Sequence, residues 1–373
     1  MQKRKSFQFR LKPTKKQRKI LDGQLEECRW LYNELLAGRK KSYEKSGLSL
    51  AKYQQQAFLP FLKEERPSLL CVHSQVLQNV NDRIDKAFQG FFRRIKAGEK
   101  PGYPRFRGEH RYNSFCYTQS GFSLADGNLR LSKIGVIRIK QHRPISGVVK
   151  TCTLRKNASG EWDVSFSCVV DTFPLPENDK SVGIDVGIES FATLTEGPSI
   201  PNPKFFRQAE KHLGKAQRKL SGLAKGTQER RKAGKACAKI HQKIANQRKD
   251  FCHKESRKII DQYQYICIED LDIKNMIEGS YFAKSITDAS WSQFRQYLAY
   301  KAEDAGRKIG LVNPAYTSQN CSKCGHREAK KLSQRMHICS VCGYTAHRDL
   351  NAAQNILALG IDSLGEIPRS LRL

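Results

Sequence analysis

The sequence predicts a multi-domain chain of mixed class. A β-barrel or sheet interrupted by helices comes first, and an α/β unit with an inserted four-cysteine metal ribbon follows. Three observations carry this. Strand-like alternation opens the chain and resumes near residue 98, with helical periodicity between. Strands and helices then alternate from residue 181 onward. Finally, a C-x2-C-x14-C-x2-C pattern falls between the last strand and the last helix.

SFQFRL alternates like a strand. In PTKKQRKIL, Thr14 with Gln17 three residues later makes a capping box, so a helix starts there. Leu21, Leu25, Cys28, Tyr32 and Leu35 line one face of it, and Leu77, Val80, Ile84, Phe88, Phe91 and Ile95 line a second helix. Residues 14–97 are expected to be mainly helical. KPGYPRFRG breaks that periodicity, and NLRLSKIGVIRIK, VVKTCTLRK and WDVSFSCVV read as strands as far as Asp171. PLPEND is a linker by composition. KSVGIDVGIESFATLTEG then reads as a two-stranded hairpin, YQYICIEDL as a strand, WSQFRQYLAYKAEDAG as a helix and KIGLVNPAY as a strand. Residues 204–260 hold 18 Lys and Arg against four acids at helical spacing, with a glycine-containing break. They predict a long helical hairpin with one strongly basic face.

The 373 residues suffice for two or three domains, and 39% hydrophobic residues argue against a small packing protein of the ribosomal or histone-like kind. A net charge of +31, from 67 Lys and Arg against 36 Asp and Glu, with a pI near 9.8, points to polyanionic partners. The basic N-terminus lacks the apolar core of a signal peptide, and no stretch reaches the ~18 apolar residues of a membrane span, so the expected location is cytoplasmic. In that compartment the 12 cysteines are thiols or metal ligands, not disulfides.

Four of them have metal spacing. Cys321 and Cys324 in CSKCGH, and Cys339 and Cys342 in CSVCGY, can close a tetrahedron around one zinc. The glycine after each pair permits a positive-φ turn that aims backbone NH groups at the sulfurs. Four thiolates fill the shell, so His326 and His337 are not needed. They also leave no open position for water, so this zinc is structural and chemistry must come from elsewhere. The other eight cysteines lack paired spacing and read as core or surface filler.

Acids in apolar strands supply the candidates. GIDVG puts Asp185 on the face opposite Val182, Ile184 and Val186, where a charge needs a partner or an ion. The same alternation in ICIEDL sets Glu269 apart from Ile266 and Ile268 and turns Asp270 away. Asp349 stands where LNAAQNIL begins a helix, a place where an aspartate is more often an N-cap. Together the three follow the acid order of an RNase H-like sheet: strand with Asp, strand with Glu, helix with Asp. Such carboxylates can hold two Mg2+ or Mn2+ ions about 4 Å apart. His347 and Arg348 adjoin this site and are candidates for contact with a phosphate.

GIDVG, IEDL, PAYTSQNCSKCG, CSVCGY and HRDLNAAQNI, with FRLKPTKKQ…CRWLYNELL near the N-terminus, resemble the TnpB family of transposon-encoded RuvC-like nucleases related to type V CRISPR effectors. The resemblance covers nearly the whole chain. It implies an RNase H-like (RuvC) nuclease core, 176–315 and 346–373, with an inserted four-cysteine zinc ribbon, 316–345. It further implies an N-terminal β-barrel (wedge), 1–20 and 98–175, interrupted by a helical recognition lobe, 21–97. The implied activity is RNA-guided cleavage of double-stranded DNA beside a short adjacent motif, with a guide noncoding RNA as partner and Asp185, Glu269 and Asp349 as catalytic ligands of Mg2+ or Mn2+. The expected assembly is a monomer. An unguided RuvC-like nuclease, a transposase and a non-cleaving nucleic-acid binder are the alternatives.

Overall fold

The computed structural model describes residues 2–109, 111–331 and 333–365, and the chain divides into two compact units, Met1–Asp171 and Thr172–Leu373. In the first, β1 (Gln2–Lys12) leads into α1 (Lys15–Ser46), α2 (Lys52–Ala57), α3 (Leu59–Glu65), a 3-10 turn (Pro67–Cys71) and α4 (Ser74–Lys96). Strands β2 (Ser114–Tyr117), β3 (Phe122–Ala125), β4 (Asn128–Leu131), β5 (Gly135–Lys140), β6 (Val148–Lys156) and β7 (Trp162–Asp171) follow. With β1 they make a nearly closed, barrel-like antiparallel sheet in the order β2-β6-β7-β1-β5-β4-β3. The first strand is thus central, paired with β7 and β5, and the helices are an insertion between β1 and its partners.

The capping box forms as expected: Thr14 Oγ1 accepts the Gln17 amide at 3.3 Å, and Gln17 Oε1 accepts the Thr14 amide at 3.0 Å. The expected stripe of α1 is buried, as are Leu77, Val80, Ile84 and Phe88 of α4. The end of that second stripe is a correction. Phe91 is only half-buried and Ile95 is 49% exposed, because the last turn of α4, with Arg93, Arg94 and Lys96, extends past the core.

The second unit begins with the hairpin β8 (Ser181–Val186) and β9 (Ser190–Leu194), then β10 (Ile200–Pro201). α5 (Phe205–Ser221) and α6 (Gln228–Gln262) form a helical hairpin, the second helix capped by Thr227. β11 (Tyr265–Glu269), α7 (Ile273–Ile277), α8 (Ala283–Ala289), α9 (Trp291–Ala305), β12 (Lys308–Val312), β13 (Met336–Ile338), β14 (Thr345–His347) and α10 (Arg348–Leu364) complete it. The main sheet runs β10-β9-β8-β11-β12, with β11 parallel to both β8 and β12 and β9 antiparallel to β8.

Both faces of this sheet are covered, which explains its near-continuous apolar strands. Val182, Ile184, Ile266 and Ile268 pack with Phe294 and Leu298 of α9 and Ile259 of α6. On the other face Cys267 and Val312 pack with Ile356 and Ile361 of α10. Strand parity therefore puts Gly183 and Asp185, and likewise Cys267 and Glu269, beneath α10.

The helix approaches almost to backbone contact. A Cβ on Gly183 would overlap the Ala353 carbonyl oxygen and stand 2.8 Å from the Leu357 amide nitrogen, and one on Gly310 would stand 2.7 Å from the Gly360 carbonyl oxygen. Main chain cannot yield as the tip of a side chain can. Gly183→Ala should therefore displace α10 and destabilise the second unit by about 1–3 kcal/mol, the usual cost of overpacking. A thermal melt reads this. A variant melting like wild type would mean that α10 moves off freely.

Candidate active site and metal knuckle

The register that sets Cys267 beside Gly183 and Ile268 beside Ile184 continues to bring Glu269 alongside Asp185 at the carboxyl ends of two parallel strands. Asp349 arrives from above, in the first turn of α10. The Asp185 carboxyl is held well above its ordinary value of 3.8, by burial first and then by the charges of Glu269 and Asp349, while Arg348 acts in the opposite direction. Glu269, 7% exposed, is also raised by burial, opposed by a hydrogen bond from Thr317. The three acids thus meet in one electrostatic environment. Asp270 points elsewhere, to an ion pair with Arg295.

Asp349 is not the N-cap. Helix α10 starts at Arg348, and the cap is His347, whose Nδ1 accepts the Asp349 amide at 3.3 Å. Capping by His347 leaves the Asp349 carboxylate free of that duty, with its side chain 17% exposed. Arg348 donates to the Lys331 carbonyl at 3.2 Å and to Ser318 Oγ at 3.3 Å, so it stands between the acids and the cysteine segment.

A second buried acid shows what compensation looks like. Asp288 accepts the Phe206 amide at 2.9 Å and the Arg207 amide at 3.3 Å, replacing the cap that Lys204, at φ 49°, does not supply to α5. Arg248 pairs with it at 2.7 Å. Among the described residues Asp185 has no such set: the charges that act on it are the carboxylates of Glu269 and Asp349 and, in the opposite direction, Arg348, and paired carboxylates favour binding of cations.

The four cysteines come together as their spacing predicts. Their sulfurs lie within 4.8 Å of one another, with Cys321 and Cys342 at 3.6 Å and Cys324 and Cys339 at 3.5 Å. A tetrahedral zinc with bonds of about 2.3 Å needs sulfurs about 3.8 Å apart, so the donor set fits that ion. Gly325 and Gly343 have φ of 76° and 70°, and their amides close turns onto the Cys321 and Cys339 carbonyls. Neither His326 nor His337 joins the cluster. Among the described residues this is the one group of three or more Cys, His, Asp or Glu ligands packed so tightly.

Three residues that the sequence reading passed over join knuckle to sheet. Asn351 Nδ2 donates to the Asn320 carbonyl at 2.8 Å and its Oδ1 accepts the Ser322 amide at 2.9 Å. Asn355 donates to the Thr317 and Asn320 carbonyls, each at 2.8 Å. Thr317 donates to Glu269 Oε1 at 2.6 Å. The signal was present in HRDLNAAQNI: two asparagines at i, i+4 share a helical face with the apolar stripe, where amides need partners.

Charge on the helical hairpin is unevenly paired. Arg207, Arg248, Lys254, Arg257 and Lys258 have acidic partners, whereas among the described residues the Lys and Arg of the hairpin's far half, from Lys211 to Lys243, form no ion pair. That surface is free for a polyanion.

The fold has counterparts among solved structures. The chain superposes on Cas12f1 from an sgRNA and target-DNA complex with a TM-score of 0.58 at 15% identity, covering 92% of this chain and 83% of that one. On the mini-RNA-guided endonuclease Cas-phi3 the TM-score is 0.50 at 9% identity, over 96% and 92%. Sequence then supplies the family. A relative from Streptomyces pristinaespiralis, named an RNA-guided DNA endonuclease, is 33% identical over 96% of this chain and 90% of its own length. The RNA-guided DNA endonuclease InsQ of Escherichia coli K12 is 31% identical over 100% and 96%. Residues 165–279 match a family model described as "Probable transposase", 291–356 a "Cas12f1-like, TNB domain" and 1–47 a "Helix-turn-helix domain". The chain belongs to the TnpB family of transposon-encoded RNA-guided DNA endonucleases. No helix among the described residues is long and apolar enough to cross a membrane.

Proposed function

We propose that this chain binds a noncoding guide RNA made from its transposable element and cleaves double-stranded DNA beside a short adjacent motif, using a RuvC-like site of Asp185, Glu269 and Asp349. The observation that carries the site is the meeting of three acids from β8, β11 and the first turn of α10 around Asp185, whose carboxyl is held well above its ordinary value by desolvation and the other two acids. All three offer hard oxygen donors, which suit Mg2+ or Mn2+, and a set of three carboxylates can share two such ions. Asp185, Glu269 and Asp349 would hold these ions, whose chemistry when bound would be to activate water and neutralise charge at the scissile phosphate. The chain's own residues orient the site: Thr317 holds Glu269, His347 holds the start of α10, and Arg348 offers a cation beside Asp185. The four-cysteine zinc shapes and does not react.

In this reading residues 1–20 and 98–175 form the wedge, 21–97 the recognition lobe, 316–345 the zinc ribbon, and 176–315 with 346–373 the nuclease core, of which 366–373 lie outside the described residues. The unpaired cations of α5 and α6 contact nucleic-acid backbone, which suffices when base pairing reads the sequence. The test is to express the chain with its native flanking DNA, wash at high salt to remove nonspecific polyanion, and sequence the RNA that remains. A discrete RNA with a constant structured part and a 3′ segment from outside the element, directing cuts to matching DNA, is the expected result. Heterogeneous fragments, with cutting that ignores them, would replace it with an unguided nuclease.

A further inference from the structure

Thr317 sits in the loop between β12 and the first cysteine pair, 3% exposed. Its hydroxyl lies 2.6 Å from Glu269 Oε1 and 3.1 Å from the Pro314 carbonyl oxygen. One proton cannot serve both acceptors, and the shorter, charge-assisted contact to Glu269 takes it. Among the described residues nothing else hydrogen-bonds the Glu269 carboxylate. A glutamate side chain otherwise has a loose terminal torsion, so this one bond decides which oxygen faces Asp185.

The loop itself is clamped. Asn355 holds the Thr317 carbonyl and, with Asn351, the Asn320 carbonyl; Asn351 also receives the Ser322 amide between Cys321 and Cys324. Both asparagines belong to the helix that brings Asp349. The path from zinc knuckle to Glu269 is therefore an unbroken run of hydrogen bonds passing through the helix of the third acid.

We propose that Thr317 is a positioning residue for the cleavage site: its hydroxyl holds the Glu269 carboxylate in the orientation that accepts a divalent cation and ties that orientation to the zinc knuckle through Asn351 and Asn355. This rests on the assignment of Glu269 to the cation site. The competing account is that the hydroxyl takes the nearest acceptor only to avoid being buried unpaired, with no effect on the cation.

Mn2+ alone, titrated calorimetrically into the RNA-free full-length chain, separates the two, with zinc content measured on the same samples. Thr317→Val keeps the volume and removes the hydroxyl; it should retain zinc while Mn2+ binding weakens about 10–100-fold, the usual effect of losing a partner that orients a metal ligand. Thr317→Ser should restore wild-type affinity. Cleavage by the guide complex should follow the same order and recover in Thr317→Val at raised Mg2+. Wild-type Mn2+ affinity in Thr317→Val, or equally weak binding in Thr317→Ser, overturns the proposal. Where Thr317→Val also loses zinc, Thr317→Ser decides: wild-type zinc and Mn2+ binding uphold the hydroxyl's role, and weakened Mn2+ binding overturns it. Glu269→Gln separates the two levels of inference. If it binds Mn2+ like wild type, the assignment of the site is wrong; if it loses Mn2+ while Thr317→Val does not, only the role of Thr317 fails.

Discussion

Asp185→Asn should abolish cleavage by at least about a thousandfold, since cation-based charge stabilisation contributes several kcal/mol and each 1.36 kcal/mol is a factor of ten. Binding of guide RNA and target should persist, because it depends on dispersed Lys and Arg that the substitution does not touch. The same residue predicts a stability effect of opposite direction. In the folded chain the Asp185 carboxyl lies well above its ordinary value of 3.8, through burial and then through Glu269 and Asp349, so folding favours its protonated form. That contribution is full below pH 3.8 and is lost as pH rises through the elevated value. In Mg2+-free buffer at neutral pH, Asp185→Asn should therefore melt above wild type and show a weaker decline with pH. Added Mg2+ should raise the melting temperature of wild type and leave the variant nearly unmoved. Cleavage assays and pH-dependent melts read both effects. A variant that cuts at the wild-type rate would remove Asp185 from the site.

What could be read from the sequence divides along a physical line. Period-two alternation put Asp185 and Glu269 on the side opposite their apolar neighbours, and the structure has them there, because pleat parity depends only on the strand itself. The cysteine spacing and the Thr14 capping box were legible for the same reason: each is closed by a few residues near in the chain. What lies on a face is not local. Nothing in GIDVG says that Gly183 must be bare because the Ala353 carbonyl rests on it. Nor does Asp349 announce its place: aspartate ordinarily outranks histidine as a cap, yet His347 caps α10, at the point where β14 turns into the helix. Asp288 was invisible in TDAS because its three partners come from α5 and α6. The α4 stripe runs to Ile95 in sequence and stops near Phe88 in space, since periodicity continues one turn beyond the core it would cover.

Cys324→Ser should lose zinc and lower both the melting temperature and cleavage. Structural zinc contributes about 10–16 kcal/mol to folding in isolated four-ligand peptides, and removing one thiolate from four forfeits a large part of that. The affected segment is not peripheral. The Asn320 carbonyl and the Ser322 amide, both next to Cys321, are held by Asn351 and Asn355 on α10, and the Thr317 hydroxyl three residues earlier reaches Glu269. Loss of the knuckle should therefore release Glu269 directly and loosen the first turn of α10, where Arg348 is tied to Ser318 and Lys331. The exposed position of Cys324 matters here, since a serine at a buried site such as Cys321 would add a packing cost of its own. Zinc content, thermal melting and guided cleavage, measured on one preparation, distinguish the outcomes. Zinc loss with a wild-type melt and wild-type cutting would make the knuckle an independent appendage. Zinc loss with a lowered melt and unchanged cutting would mean that α10 keeps Asp349 and Glu269 in place by its packing on Gly183, Gly310 and Cys267 alone.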